Sequence, residues 1–134
     1  MNPDDLAAQQ LVEKIIAAFP DDAAWVNARM QSQGFEPKEA PYIWVEQFSQ
    51  RTTDALKARD NAKAELHLKL MSNLFLTADV ASAKCIDVAY VESLMWDMKD
   101  EEKKQGWLLI PQNLRNLYIE MWGNKPFMGE SNVR

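Results

Sequence analysis

Three side chains in this sequence are the natural candidates for chemistry: Glu92, the single histidine His67 and the single cysteine Cys85. Glu92 lies in Val88-Ala89-Tyr90-Val91-Glu92-Ser93-Leu94-Met95-Trp96, an apolar setting that would suit a general acid. A Cys85–His67 pair would be a nucleophile and its base. Neither set is complete. Cys85 falls mid-helix among apolar residues, where a thiol is inert and its pKa is raised. His67 shares a helical arc with Leu70, Met71 and Leu74, which reads as a core histidine with one hydrogen bond. A lone histidine with no ligand triplet builds no metal site. No phosphate loop, dinucleotide fingerprint, nucleophile elbow, paired-histidine motif or EF-hand loop occurs in the sequence. The expectation is a non-enzyme with no cofactor and no metal.

On a helical wheel at 100° per residue, Glu92 falls at ~340° from Cys85, between Val88 and Cys85. Ten of the fourteen residues 85–98 are apolar, so this helix reads as central. Three outcomes are open for the carboxylate: an ion pair with Arg115 or Arg51, a protonated acid, or a place in a cleft wall. An ionised, unpaired carboxylate in the interior costs several kcal/mol, so the expected outcome is a buried tie to the last helix through Arg115. Glu92, Arg115 and His67 are thus the expected buried structural polar residues.

The elements that must position these groups are helical. Four glycines, few β-branched residues and much Ala, Leu, Met, Gln, Glu and Lys favour helix. Asn2, Pro3, Asp4 and Asp5 announce a first helix, which Phe19-Pro20 stops. Asp21 or Asp22 starts a second, closed by Gly34. A third runs through Tyr42–Asp60 and a fourth follows an Asp60 or Asn61 cap. A fifth spans residues 80–99, with Thr77 or Asp79 as cap. Residues 100–106 read as a charged connector or a last helical turn ended by Gly106, and Pro111 opens a last helix that Gly123 closes. All five tryptophans read as core, with Trp107 part-exposed at its joint. The short joints imply sequential antiparallel neighbours. The expected fold is all-α, a compact bundle or short solenoid-like stack of about six antiparallel helices. Residues 1–123 form one domain and residues 124–134 a flexible C-terminal tail.

Composition narrows the function classes. The 134 residues are 47% hydrophobic and 26% charged, with a net charge of −5. Residues 1–40 hold seven acids against three bases. Acidity without a basic stripe argues against nucleic-acid binding and suits a basic protein partner. The N-terminal segment lacks a signal-like apolar region and no apolar run is long enough to span a bilayer, so a cytoplasmic location and no membrane partner are expected. Tyr42 and Ile43, with Glu36, Glu39 and Glu46 around them, form a polar-rimmed apolar pair of the kind that binds proteins. Together with Asp21 and Asp22 they are the expected partner-binding residues.

The second half of the chain also resembles a family of small all-helical bacterial proteins. The resemblance is carried by Leu74-Phe75-Leu76, Asp79, Tyr90 and Glu92, then Pro111, Leu114, Tyr118, Trp122 and Gly123. Ala78 stands where glycine is common. The resemblance implies a helical fold without a catalytic assignment. It further implies an immunity protein that binds and neutralises a cognate, basic toxin domain by blocking its active site or substrate access. The alternative is a non-enzymatic helical adaptor that binds another protein.

Overall fold

The computed structural model describes residues 2–129. Among them are seven α-helices and no strand: α1 (Pro3–Ala18), α2 (Pro20–Ser32), α3 (Pro41–Lys57), α4 (Asn61–Leu76), α5 (Val80–Cys85), α6 (Asp100–Trp107) and α7 (Gln112–Trp122). Side-chain caps set several helix starts. Asn2 Oδ1 accepts the Asp5 N–H at 2.8 Å, Asp60 Oδ1 that of Lys63 at 3.3 Å, and Asp79 Oδ1 that of Ser82 at 2.8 Å. Each satisfies a donor that the first helical turn leaves without a partner. Gly34 and Gly123 follow helix ends with φ of 87° and 80°, the left-handed region where glycine costs least.

Helix α3 is the hub. It packs against α1, α2, α4 and α6, and against the segment that continues α5. The first four helices meet their sequence neighbours, but α5 crosses back to α1 instead of lying mainly on α4. Contacts this distant in sequence make a bundle. In a solenoid each unit would touch only the next. Phe48 of α3 is at the centre of the core, its ring 4.6–6.1 Å from those of Phe19, Trp44, His67 and Tyr90.

The expected helix over 80–99 is where the chain departs most from expectation. After Cys85 the backbone widens into a π-helical stretch, Ile86–Val91, and the Glu92 N–H reaches back five residues to the Asp87 carbonyl at 3.0 Å. Turns follow through residue 97, and Met95 adopts a φ of 61°. A left-handed methionine costs about 1–2 kcal/mol. Three hydroxyls on α3, all fully buried, hold this irregular backbone. Ser49 Oγ donates to the Tyr90 carbonyl at 2.6 Å, Thr53 Oγ1 accepts the Met95 N–H at 3.0 Å, and Thr52 Oγ1 meets the Tyr90 hydroxyl at 2.9 Å. Ser49 and Thr53 satisfy backbone groups that a regular helix would have paired internally, while Thr52 fixes the Tyr90 side chain. Gly106 makes room for the Met95 side chain, since a Cβ there would sit 3.2 Å from its Sδ.

Two further segments are more ordered than a connector and a tail. Residues 100–106 are helical: the Glu102 carboxylate accepts the Lys99 N–H at 2.8 Å, and three acids, Asp100, Glu101 and Glu102, occupy the positive end of α6. The start of the expected tail is packed. Pro126–Met128 form a 3₁₀ turn against α6, Met128 is buried, and the Phe127 ring meets Trp107 and Tyr118 edge-on at 5.8 and 6.3 Å. Residues 130–134 of that tail lie outside the described residues.

Candidate functional site

The π-helical stretch has a direct consequence for Glu92. It takes an additional residue per turn, so side chains beyond it are displaced by about one position, ~100°, from a regular wheel. Glu92 therefore leaves the core arc and stands half-buried at a cleft. Beyond it the backbone runs in turns, Met95 adopts a φ of 61°, and Trp96 is 72% exposed. The expected tie to Arg115 does not form. Arg115 instead donates to the carbonyls of Trp107 and Ile110, both at 2.8 Å, and lies over the Trp107 ring at 5.1 Å. It closes the joint between α6 and α7, where helix ends leave carbonyls without intrahelical donors.

The cleft has two lobes of about 350 Å³ each. Glu92, Trp96 and Trp122 line both. The apolar lobe is floored by Leu94, Tyr118 and Phe127, with Asp100, Lys103 and Lys125 at its edge. The polar lobe adds Glu46, Gln47 and Gln50 from α3, and Ser93. The floor is stiff: Tyr118 and Phe127 belong to the edge-on aromatic trio with Trp107. Helix α7 is fixed from behind by Asn113, which accepts from Ser72 Oγ at 2.7 Å and donates to the Ser72 carbonyl at 3.1 Å. Trp122, at the end of α7, is 41% exposed.

The polar lobe is electronegative. Partial burial, and then the charge of Glu92, push the Glu46 carboxyl above its ordinary range. Burial, Glu120 and Glu92 do the same to Asp87. Among the described residues, no hydrogen bond or ion pair engages the side chain of Glu46 or Glu92. Two like-charged carboxylates near each other without a counter-ion form a site that favours a cation.

Other sequence candidates fall elsewhere. Asp22, expected at a binding surface, is 5% exposed and sits under α3 and α4. Arg51 Nε and Lys63 Nζ reach its Oδ1 at 2.8 and 3.2 Å, and His67 Nε2 reaches its Oδ2 at 2.8 Å. Burial opposes ionisation of Asp22, but the hydrogen bonds from Arg51, His67 and Lys63 outweigh it and hold its pKa at about 2. On the far side of the ring, His67 Nδ1 meets Thr52 Oγ1 at 2.9 Å. One proton assignment satisfies the string: Tyr90 donates to Thr52, Thr52 to His67, and His67 to Asp22. Burial pushes the His67 pKa down, against the pull of Asp22, and keeps the ring neutral. An Asp–His–Thr string has the look of a nucleophile system. Here Thr52 and His67 are fully buried and neither lines either lobe of the cleft.

Asp21, Glu36 and Glu39 are exposed on α2 and the loop after it, while Tyr42 and Ile43 are half-buried. Ile43 packs on the core, and no partner within hydrogen-bonding distance meets the buried Tyr42 hydroxyl. Of the seven expected partner-binding residues, only Glu46 lines the cleft. Cys85 is fully buried, and burial, with Asp4 and Glu46 behind it, lifts its thiol to about 12. Trp107 is 1% exposed, contrary to its expected part-exposure. Trp96 and Trp122, expected in the core, are the residues sequence reasoning missed. The available signal was the run of hydroxyls Ser49, Thr52 and Thr53 on an otherwise apolar arc, which marks an irregular backbone needing partners.

Among the described residues, no group of three or more His, Cys, Asp or Glu side chains is placed to hold a metal ion, and no helix is long and apolar enough to cross a membrane. No curated protein and no solved structure matches the chain. Residues 12–123, which include Trp96, Trp122, Glu46 and Glu92 of the cleft, match the domain of unknown function DUF7674. The chain therefore belongs to the DUF7674 family, whose function is unknown.

Proposed function

We propose that this domain is a bacterial immunity protein: it binds a cognate toxin domain in the two-lobed cleft and blocks it, without chemistry of its own. The observation that carries the reading is Trp96. A large aromatic side chain is held in solvent beside a left-handed Met95, itself anchored by a buried Thr53. Backbone strain kept in place by its surroundings is a mark of functional segments. Exposed tryptophans over a stiff apolar floor are the usual energetic centres of protein interfaces. The toxin class rests on the family resemblance of residues 74–123, and the acidity of the polar lobe suits a basic partner.

The test is co-expression with the product of the adjacent gene. A stable complex and protection of cells from that product are expected, both lost in the Trp96→Ala/Trp122→Ala variant. No complex and no protection would contradict the reading. A complex formed without any toxicity to suppress would favour the adaptor.

A further inference from the structure

We propose that the polar lobe of the cleft takes an arginine side chain from the partner protein, its guanidinium stacked on the indole of Trp96 or Trp122 and paired with Glu46 and Glu92. This deepens the immunity reading and rests on it for the identity of the partner. The lobe supplies the two things that hold a guanidinium: a flat aromatic face and carboxylates without a counter-ion. Among the described residues, no basic side chain lines this lobe.

The molecule uses the same combination internally. Arg51 lies 4.9 Å over the Trp25 ring while its Nε donates to Asp22 at 2.8 Å. Arginine suits such a site better than lysine, because its planar fork stacks and pairs at once. Gln50 adds an amide oxygen to the lobe, an acceptor that suits a further guanidinium donor, while that of Gln47 already accepts from Arg29 Nε at 2.7 Å. The adjacent apolar lobe shares Glu92, Trp96 and Trp122 and has Leu94 and Phe127 in its wall. A neighbouring apolar residue of the same partner segment fits there, so the recognised element is an arginine next to an apolar side chain.

The experiment is an NMR titration of the full-length protein with the peptide acetyl-Gly-Arg-Leu-amide, with citrulline and lysine counterparts as controls. The indole N–H signals of Trp96 and Trp122 are expected to move, while those of the buried Trp44 and Trp107 stay. The citrulline peptide, which keeps the shape and loses the charge, is expected to bind at least about tenfold more weakly. The Glu46→Gln/Glu92→Gln variant should weaken the arginine peptide by a similar factor. Its fold is expected to persist, because neither carboxylate carries a hydrogen bond. Equal affinity for arginine and citrulline, equal affinity for arginine and lysine, or shifts confined to Trp25 would overturn the assignment. A toxin that docks in the cleft with an affinity indifferent to Glu46→Gln/Glu92→Gln would also overturn it, while leaving the immunity reading intact. Peptide binding without any toxin neutralisation would support the arginine site and contradict the immunity reading.

Discussion

Replacing Asp22 by asparagine removes the one anion beneath α3 and α4. In the folded protein its carboxyl titrates at about 2, against an ordinary 3.8. At ~1.4 kcal/mol per pKa unit this difference corresponds to about 2.5 kcal/mol of stability at neutral pH. The amide keeps one oxygen for the His67 N–H but turns an NH₂ group toward the Arg51 and Lys63 donors. The total loss should therefore be about 3 kcal/mol, and for a domain of this size roughly 10 °C in Tm. Because the folded pKa lies below the unfolded one, the stabilisation is complete above about pH 4 and fades as pH falls toward 2. His67 adds a second acid-sensitive contribution. Its folded pKa is also depressed, so its share is complete above ~6.5 and fades as the buried ring is forced to take a proton. Urea melts from pH 7 to pH 2 follow both. The wild type should lose stability in two stages, and Asp22→Asn should start lower and lack the stage below pH 4. A variant that melts within about 2 °C of wild type with an unchanged acid profile would refute the reasoning.

Three further perturbations have definite signs. Glu92→Gln should leave Tm unchanged or slightly raised, since the carboxylate has no ion-pair partner to lose and repels Glu46 and Asp87; carbon-detected NMR should show both of those carboxyls titrating at lower pH. Arg59, exposed at the end of α3 with φ of 60°, should tolerate glycine with a gain of about 0.5–1 kcal/mol, read as a higher denaturant midpoint. Met128→Ala should cost about 2–4 kcal/mol in the same assay, because the side chain is buried against the core; a flexible segment there would cost nothing.

Helix ends were legible in the sequence because they are local chemistry. Asn2, Asp60 and Asp79 cap within three residues of themselves, and Gly34 and Gly123 mark left-handed exits. The hub role of α3 was not legible, since Ser49, Thr52 and Thr53 find their partners across the core and not along the chain. Glu92 and Trp96 were misplaced because the backbone departs from a regular helix, at Ile86–Val91 before Glu92 and at the left-handed Met95 before Trp96. A wheel assumes a constant turn, and the change of pitch at Ile86–Val91 is enforced by tertiary hydrogen bonds from α3 instead of by the residues within it. Asp22 was misplaced because a helix-start acid looks the same on a surface as it does beneath two cations and an imidazole from other helices. The candidate cleft inherits these difficulties, because its walls come from α3, α6, α7, the turn at Pro126–Met128 and the one segment whose local sequence conceals its geometry.

The most direct measurement is the affinity of the purified partner for wild type and for Trp96→Ala/Trp122→Ala, by calorimetry. Both side chains are substantially exposed, so the variant should melt within a few degrees of wild type. If the cleft is the binding face, affinity should fall by roughly 100-fold or more, as expected when two aromatic anchors are removed. An affinity within about threefold of wild type, in a variant that remains folded, would contradict the account.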